Sequence, residues 1–330
     1  MLSFSYSKAS DVAGALTEIA SNDKAKFIAG GTNLLDLMKI DVMTPRHLVD
    51  ITQLALNKIE ENESGGLRLG ALVTNADTAY HAEVEKRYPI LSQAILAGAS
   101  AQLRNMATNG GNLLQRTRCY YFYDLATPCN KREPGSGCSA INGFNRIHAI
   151  LGASEKCIAT HPSDMSVALA ALEAHVNVTG PNGDRVIPLA DFHRLPGDTP
   201  QIDTNLAADE IITSIDLPAR GFAQHYTYLK VRDRASYAFA LVSVAAALDM
   251  EGNTIKDARI ALGGVAHKPW RNPEAEALLK SQNATTENFQ SVADAYMRGA
   301  VGYGDNTFKI ELGKRAIVRA LSQAAHIELE

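Results

Sequence analysis

Residues 108–114 read TNGGNLL and residues 158–165 read IATHPSDM, and the segment between them carries every cysteine of the 330-residue chain. Cys119, Cys129, Cys138 and Cys157 are spaced C-x9-C-x8-C-x18-C. Their confinement to one excursion marks it as built for sulfur chemistry. On its near side, TNGGN offers side-chain amides, a hydroxyl and backbone groups able to bond a pyrophosphate. On its far side, Ser163 or Asp164 caps the small-residue helix MSVALAALEA, which should pack tightly.

A second glycine pair lies upstream in KFIAGGTNL, residues 26–34. Lys26, Phe27, Ile28 and Ala29 read as a short buried strand, Gly30-Gly31 as a turn, and Thr32 or Asn33 as the cap of a helix that begins near Leu34. A strand, a glycine turn and a helix start aim free backbone N–H groups and the positive helix end at one point, which suits a phosphate. An ordinary tight turn would use the same glycines. Neither G-x-G-x-x-G nor G-x-x-x-x-G-K-[ST] occurs, so a nicotinamide Rossmann site and a nucleotide P-loop are unsupported. The two Gly-Gly turns are read as holding one dinucleotide, and the excursion as holding a metal centre.

Working outward, Ser10 is the candidate cap of a first helix whose Val12, Leu16 and Ile19 share a face. HLVDIT (47–52) closes a first lobe, residues 1–55. A second lobe, 56–221 with the cysteine insertion at about 113–158, contains hairpins at Gly65-Gly66 and at PNGD (181–184), a helix from Pro89, and a strand expected over Cys157–Thr160. Beyond residue 222 the strands HYTYLKVR, FALVSVAAALDM and IKDARIALGG precede three helices, the ordering of an α+β domain with an antiparallel sheet.

With 32 basic and 36 acidic residues the net charge is −4, giving no electrostatic reason to expect nucleic acid or an anionic membrane as partner. No apolar run is long enough to span a bilayer, and the N-terminus lacks the pattern of a signal peptide. The cysteines lack the C-x2-C or C-x4-C knuckles usual in zinc sites. Four thiolates suit a [4Fe–4S] cluster, which accepts widely spaced ligands. Zinc, disulfides and free buried thiols remain open alternatives. His148 and His161, near the cysteines, read as hydrogen-bonding side chains.

Taken together, AGGTNLLDLMK, TNGGNLL, IATHPSDM, YLKVRDR and ALGGVAHKPWR resemble the FAD-binding subunit of the xanthine dehydrogenase and molybdenum hydroxylase family over essentially the whole chain. The cysteine excursion makes the resemblance greatest to the flavin subunits of bacterial aldehyde oxidoreductases. The implied fold is α+β: a two-lobed FAD-binding fold of the vanillyl-alcohol-oxidase/PCMH type, then a C-terminal α+β domain with an antiparallel sheet. The resemblance implies that Lys26, Phe27, Ile28, Ala29, Gly30, Gly31, Thr32, Asn33 and Leu34 form the first pyrophosphate loop, and that Thr108, Gly111 and Asn112 lie on the second. It implies that Asp164 binds ribityl or adenosine hydroxyls, Ile187 packs near the flavin or adenine, and Lys230 reaches the isoalloxazine edge. It places Cys119, Cys129, Cys138 and Cys157 on the [4Fe–4S] cluster.

The function so implied is electron transfer within a heterotrimeric, molybdenum-dependent aldehyde oxidoreductase. A molybdopterin-containing large subunit would oxidise the substrate, a small subunit with [2Fe–2S] clusters would relay electrons, and FAD in this chain would pass them to an external acceptor. No residue of the chain is expected to be catalytic as acid, base or nucleophile. The expected location is the periplasm, reached with a signal-bearing partner, with the cytoplasm as alternative. Other readings are a stand-alone FAD reductase resembling UDP-N-acetylmuramate dehydrogenase, and a zinc-stabilised scaffold without redox role.

Overall fold

Each sheet forms from one stretch of chain in the computed structural model, which describes residues 1–328. In the first, His47–Asp50 lies between Ser5–Lys8 and Ala25–Ile28, all parallel. Parallel neighbours need crossovers, and the helices Val12–Ser21 and Leu34–Lys39 supply them. The cap of Val12–Ser21 is Asp11, not the expected Ser10. The Asp11 carboxylate accepts from the Gly14 amide at 2.8 Å, and the Ser10 hydroxyl donates to Asp11 instead. An ionised acceptor suits the positive helix end better than a hydroxyl.

The second sheet is antiparallel, in the order Ile59–Glu61, Leu67–Gly70, Ile211–Asp216, His175–Gly180, Gly183–Pro188. The third is also antiparallel, in the order Trp270–Arg271, Thr254–Gly263, Val242–Glu251, His225–Val231. Its strand Val242–Glu251 is buried from Val242 to Leu248, and apolar there but for Ser243, because both faces are covered. Val242, Val244, Ala246 and Leu248 join a core with Phe289, Ile317 and Leu321 of the C-terminal helices Thr286–Tyr296 and Phe308–Ala324. Ala245 and Ala247 face the opposite core, which contains the helices Pro89–Ala97 and Asp164–Ala171. All eight residues of Asp164–Ala171 are buried, and alanine on the facing strand lets that helix approach closely.

The strand expected over Cys157–Thr160 is absent, and only a single bridge joins Ser154 to Cys157. Its backbone is used elsewhere: the Ala159 amide donates to Cys157 Sγ at 3.4 Å and the His161 amide to the Ala266 carbonyl at 3.0 Å. One helical turn, Tyr120–Tyr123, is the only helix within the excursion. Side chains frame the rest. Asn130 Oδ1 accepts from the Gly135 and Gly137 amides, and Arg132 donates to the Tyr121 and Phe122 carbonyls. Lys131, almost wholly buried, donates to the Pro200 carbonyl at 2.8 Å and pairs with Asp203. Lys309 ties the C-terminal domain to the excursion through the His148 carbonyl at 2.8 Å.

Gly30 is the tightest joint between the first two lobes: a Cβ there would sit 1.8 Å from the Met106 carbonyl oxygen. At Gly31 the conflict is a φ of +70° and the flexible end of Leu35. Gly30→Ala should therefore cost about 3 kcal/mol or more, whereas Gly31→Ala costs roughly 1 to 2. Denaturant unfolding checks the order; equal losses would contradict it.

Near Lys131 and Asp203 are two buried histidines, His193 and His267, and the half-buried His161. The rings of His161 and His193 are 4.1 Å apart, and His267 Nδ1 donates to the Arg194 carbonyl at 2.7 Å. Burial pushes His193 down to about 4; burial and then the Lys131 charge do the same to His267, also to about 4. Unfolded histidine titrates near ~6.5, so between these values the unfolded chain binds more protons. This stability is full above about pH 6.5 and is lost as pH falls towards 4. Unfolding midpoints should drop across that window, and His193→Gln should flatten part of the slope. A flat profile in the native chain would contradict this.

Candidate functional site

A cavity of about 480 Å³ opens where the glycine turns, the start of Asp164–Ala171 and the third sheet meet. Such a volume is in the range of cofactor pockets. Among the residues singled out from sequence, Thr32, Asn33, Gly111, Asn112, Asp164 and Lys230 line it. Lys26, Phe27 and Ile28 lie in the strand leading to the first turn, and Ala29, Gly30 and Gly31 make the approach behind Thr32. Leu34 begins the following helix and Thr108 caps the helix Asn109–Leu113. Ile187 is not on the wall: it pairs with Val176 inside the second sheet and is buried in the main core.

The two glycine turns differ in what they leave free. At the second, the protein takes up its own donors. The Asn109 amide donates to the Val73 carbonyl, Gly110 to Ala71, Gly111 to Thr108 Oγ1 at 3.2 Å, and Asn112 to the Thr108 carbonyl. The Asn112 side chain is equally committed, donating to Asn75 and accepting from Ser163 and Gln115. At the first turn, no protein group among the described residues accepts from the amides of Gly30 to Leu34. Asn33 Oδ1 accepts from the Arg116 amide at 2.9 Å, which fixes the side-chain amide so that its buried Nδ2 has no partner. One buried unsatisfied donor, Asn33 Nδ2, with uncommitted backbone amides beside it on a cavity wall fits an anionic ligand such as a diphosphate.

Asp164 is the first residue of its helix, and Ser163 is the cap, accepting from the Ser166 amide at 2.9 Å. The carboxylate is thereby free for other work. One oxygen accepts from the Tyr228 hydroxyl at 2.6 Å and the other from Lys230 Nζ at 2.7 Å, while Lys230 also donates to the Ala97 carbonyl at 3.1 Å. Burial, then the facing carboxylate, drives the Tyr228 phenol well above its ordinary range, so it stays a donor. Each Asp164 oxygen retains a lone pair able to accept from a sugar-like hydroxyl. Lys230 meets the cavity as one member of an ion pair rather than as an isolated cation.

The cavity wall also includes Arg104, Arg118, Tyr120, His161 and the segment 233–241, none of which the sequence reading placed there. These residues belong to no common motif. Only the fold over the first glycine turn brings the excursion and the 233–241 segment to one place.

The four cysteines, far apart in sequence, line one small pocket of about 10 Å³ with Phe122 and Tyr121. None is in a disulfide, and all but the half-buried Cys138 are buried. His148 Nε2 lies 3.1 Å from Cys119 Sγ. Burial pushes the Cys119 thiol up to about 12 and the Cys157 thiol up to about 11, so without a metal neither is a nucleophilic thiolate. Among the described residues, no three His, Cys, Asp or Glu side chains are grouped to hold a single metal ion.

Residues 2–220 match the family model of the FAD binding domain in molybdopterin dehydrogenase, and residues 226–324 match the CO dehydrogenase flavoprotein C-terminal domain. The aldehyde oxidoreductase FAD-binding subunit PaoB of Escherichia coli (strain K12) is 54% identical over 325 residues, 98% of this chain and 99% of that one. The carbon monoxide dehydrogenase medium chain of Hydrogenophaga pseudoflava is 27% identical, over 91% of this chain and 89% of its own. A solved structure of carbon monoxide dehydrogenase from the same organism, lacking the Mo-pyranopterin moiety, aligns with a TM-score of 0.76 at 27% identity, covering 98% and 97% of the two chains. Matched along both halves, with a cavity whose free donors suit a dinucleotide, the chain belongs to the FAD-binding subunits of the xanthine dehydrogenase and molybdenum hydroxylase family, an oxidoreductase family.

Proposed function

We propose that this chain is the FAD- and [4Fe–4S]-bearing electron-transfer subunit of a heterotrimeric, molybdenum-dependent aldehyde oxidoreductase. The observation that carries the reading is the 54% identity, over 98% of the chain, to a subunit named for aldehyde oxidation. In this reading a molybdopterin-containing large subunit and a [2Fe–2S] small subunit deliver electrons, and an external acceptor removes them. The complex works in the periplasm, exported with a partner that carries the signal.

FAD, when bound, supplies the exchange between electron delivery and the acceptor. The chain's own residues hold and tune it. The free amides of the first turn and Asn33 Nδ2 take the diphosphate, Asp164 accepts hydroxyls, and the Lys230 ammonium, kept in place by Asp164 and Ala97, orients positive charge towards the flavin. The four converging thiols support the cluster. In a single-ion site, sulfurs about 2.3 Å from the metal must crowd together, whereas each iron of a cluster takes one thiolate. Four thiols lining one pocket would supply one ligand for each of four irons.

Anaerobic purification from the native host should yield molybdenum, FAD, iron and sulfide together, with aldehyde oxidation. Cys129→Ser or Cys138→Ser should remove the iron and sulfide assigned to this chain. Stoichiometric zinc, or unchanged iron in both variants, would sink the cluster, and NADPH-driven turnover by the FAD-loaded chain alone would favour a stand-alone reductase.

Breaking the buried pair should be costly. Lys230→Met leaves the Asp164 charge with Tyr228 alone, a loss of about 3 kcal/mol. Asp164→Asn combined with Lys230→Met should recover much of it, since no unpaired charge then remains. Both variants should bind FAD more weakly. Additive stability losses in the double variant would rule out the coupling.

A further inference from the structure

The flavin's diphosphate brings two negative charges into a cavity whose glycine turns contain neither lysine nor arginine. The nearby cations are largely committed. Lys230 is paired with Asp164. Arg104 donates to the Leu96 and Gly98 carbonyls, at 3.4 and 2.6 Å, and so caps the preceding helix. Arg234 is folded onto the Ser236 and Tyr237 carbonyls of its own loop. Arg116 is paired with Asp203.

Arg118 is different. It stands one residue before Cys119, lines the cavity, and among the described residues donates to neither a carboxylate nor a backbone carbonyl. One guanidinium nitrogen donates to the Tyr123 hydroxyl at 2.6 Å, and the guanidinium carbon is 5.1 Å from the centre of the Phe239 ring. Its buried Nε donates to nothing. The Asn33 side-chain amide lies beside Tyr123 as well, so Asn33 Nδ2 belongs to the same corner of the cavity. A half-buried guanidinium held between two aromatic rings, its Nε buried and with no salt-bridge partner among the described residues, is arranged to receive an anion.

We infer that Arg118 is a charge partner of the FAD diphosphate, supplied by the cysteine excursion and acting with Asn33 Nδ2. This rests on the flavin reading above and adds a cofactor contact that neither glycine turn provides. It also links the two centres covalently, because the next residue is a cysteine of the other site.

The test titrates FAD into the full chain and records the 31P resonances of the bound cofactor. Arg118→Gln should weaken FAD binding about 10- to 100-fold, the range for losing a hydrogen bond to a charged group. It should also shift the 31P resonances, while the thermal midpoint stays near that of the native chain. Arg118→Lys, which keeps the charge but loses the planar fork, should recover part of the affinity. Unchanged affinity and unchanged 31P resonances in Arg118→Gln overturn the assignment. Should that variant fail to fold, Arg118→Lys decides: weaker binding with shifted resonances supports the contact, and native values in both overturn it. A native chain that takes up no FAD would overturn the cofactor reading itself, a result distinct from failure of this contact.

Discussion

A carboxylate at the first residue of a wholly buried helix must be paired where it lies, and the arrangement of this protein around Asp164 follows from that constraint. Ser163 takes the capping role and leaves the Asp164 oxygens to Tyr228 and Lys230. Both partners come from the edge strand His225–Val231 of the C-terminal sheet. The ion pair therefore fixes how that sheet meets the FAD-binding half, and the small side chains opposite the helix let it do so at close range. Gly263, whose added Cβ would meet Val167 at 2.6 Å, shows how little space remains. Burial makes such a pair expensive to break and only weakly stabilising as a whole. Its value lies in position: it sets a carboxylate and an ammonium on the same cavity wall.

The opposite end of the cavity is governed by unsatisfied donors. The second glycine turn is a structural joint whose amides and Asn112 side chain are absorbed by Val73, Ala71, Thr108, Asn75 and Ser163. The first turn is packed from behind against Met106 and keeps its amides free in front. Two turns with nearly the same residues thus do different work. Both need close backbone approach, and Gly111 and Asn112 of the second turn line the cavity with Thr32 and Asn33 of the first.

Much of this was legible in the sequence because it is local. Strand, glycine turn and helix at residues 25–39, the hairpins at Gly65 and Gly183, and the strand-then-helix order after residue 222 follow from periodicity and turn chemistry. Asp164 and Lys230 could be set on one site only through family resemblance, and their direct pairing was not foreseen. The expected strand over Cys157–Thr160 failed because an amide turns to a sulfur, an acceptor that strand patterns do not represent. Ile187 went into the core, where a strand isoleucine normally goes. Arg118, Phe239 and the segment 235–241 gave no signal, since their role depends on which distant segment folds beside them.

The cysteine excursion carries the same lesson further. Its spacing lacks a knuckle, so no short turn can present two thiols together. The ligands have to be gathered by tertiary anchors, and the anchors are visible: Asn130 gathers the turn before Cys138, Arg132 gathers the helical turn after Cys119, and Lys131 and Lys309 fasten the loop to the second lobe and the C-terminal domain. The frame is polar, buried and built from residues that are not ligands. Thiols gathered this way take their arrangement from the surrounding protein. The thiol pocket and the flavin cavity are separate spaces whose walls meet along the chain at Arg118–Cys119–Tyr120 and again at Ala159–Thr160. Changes at one centre have direct covalent routes to the other at those two points, whereas Cys129 and Cys138 reach the flavin wall through packing.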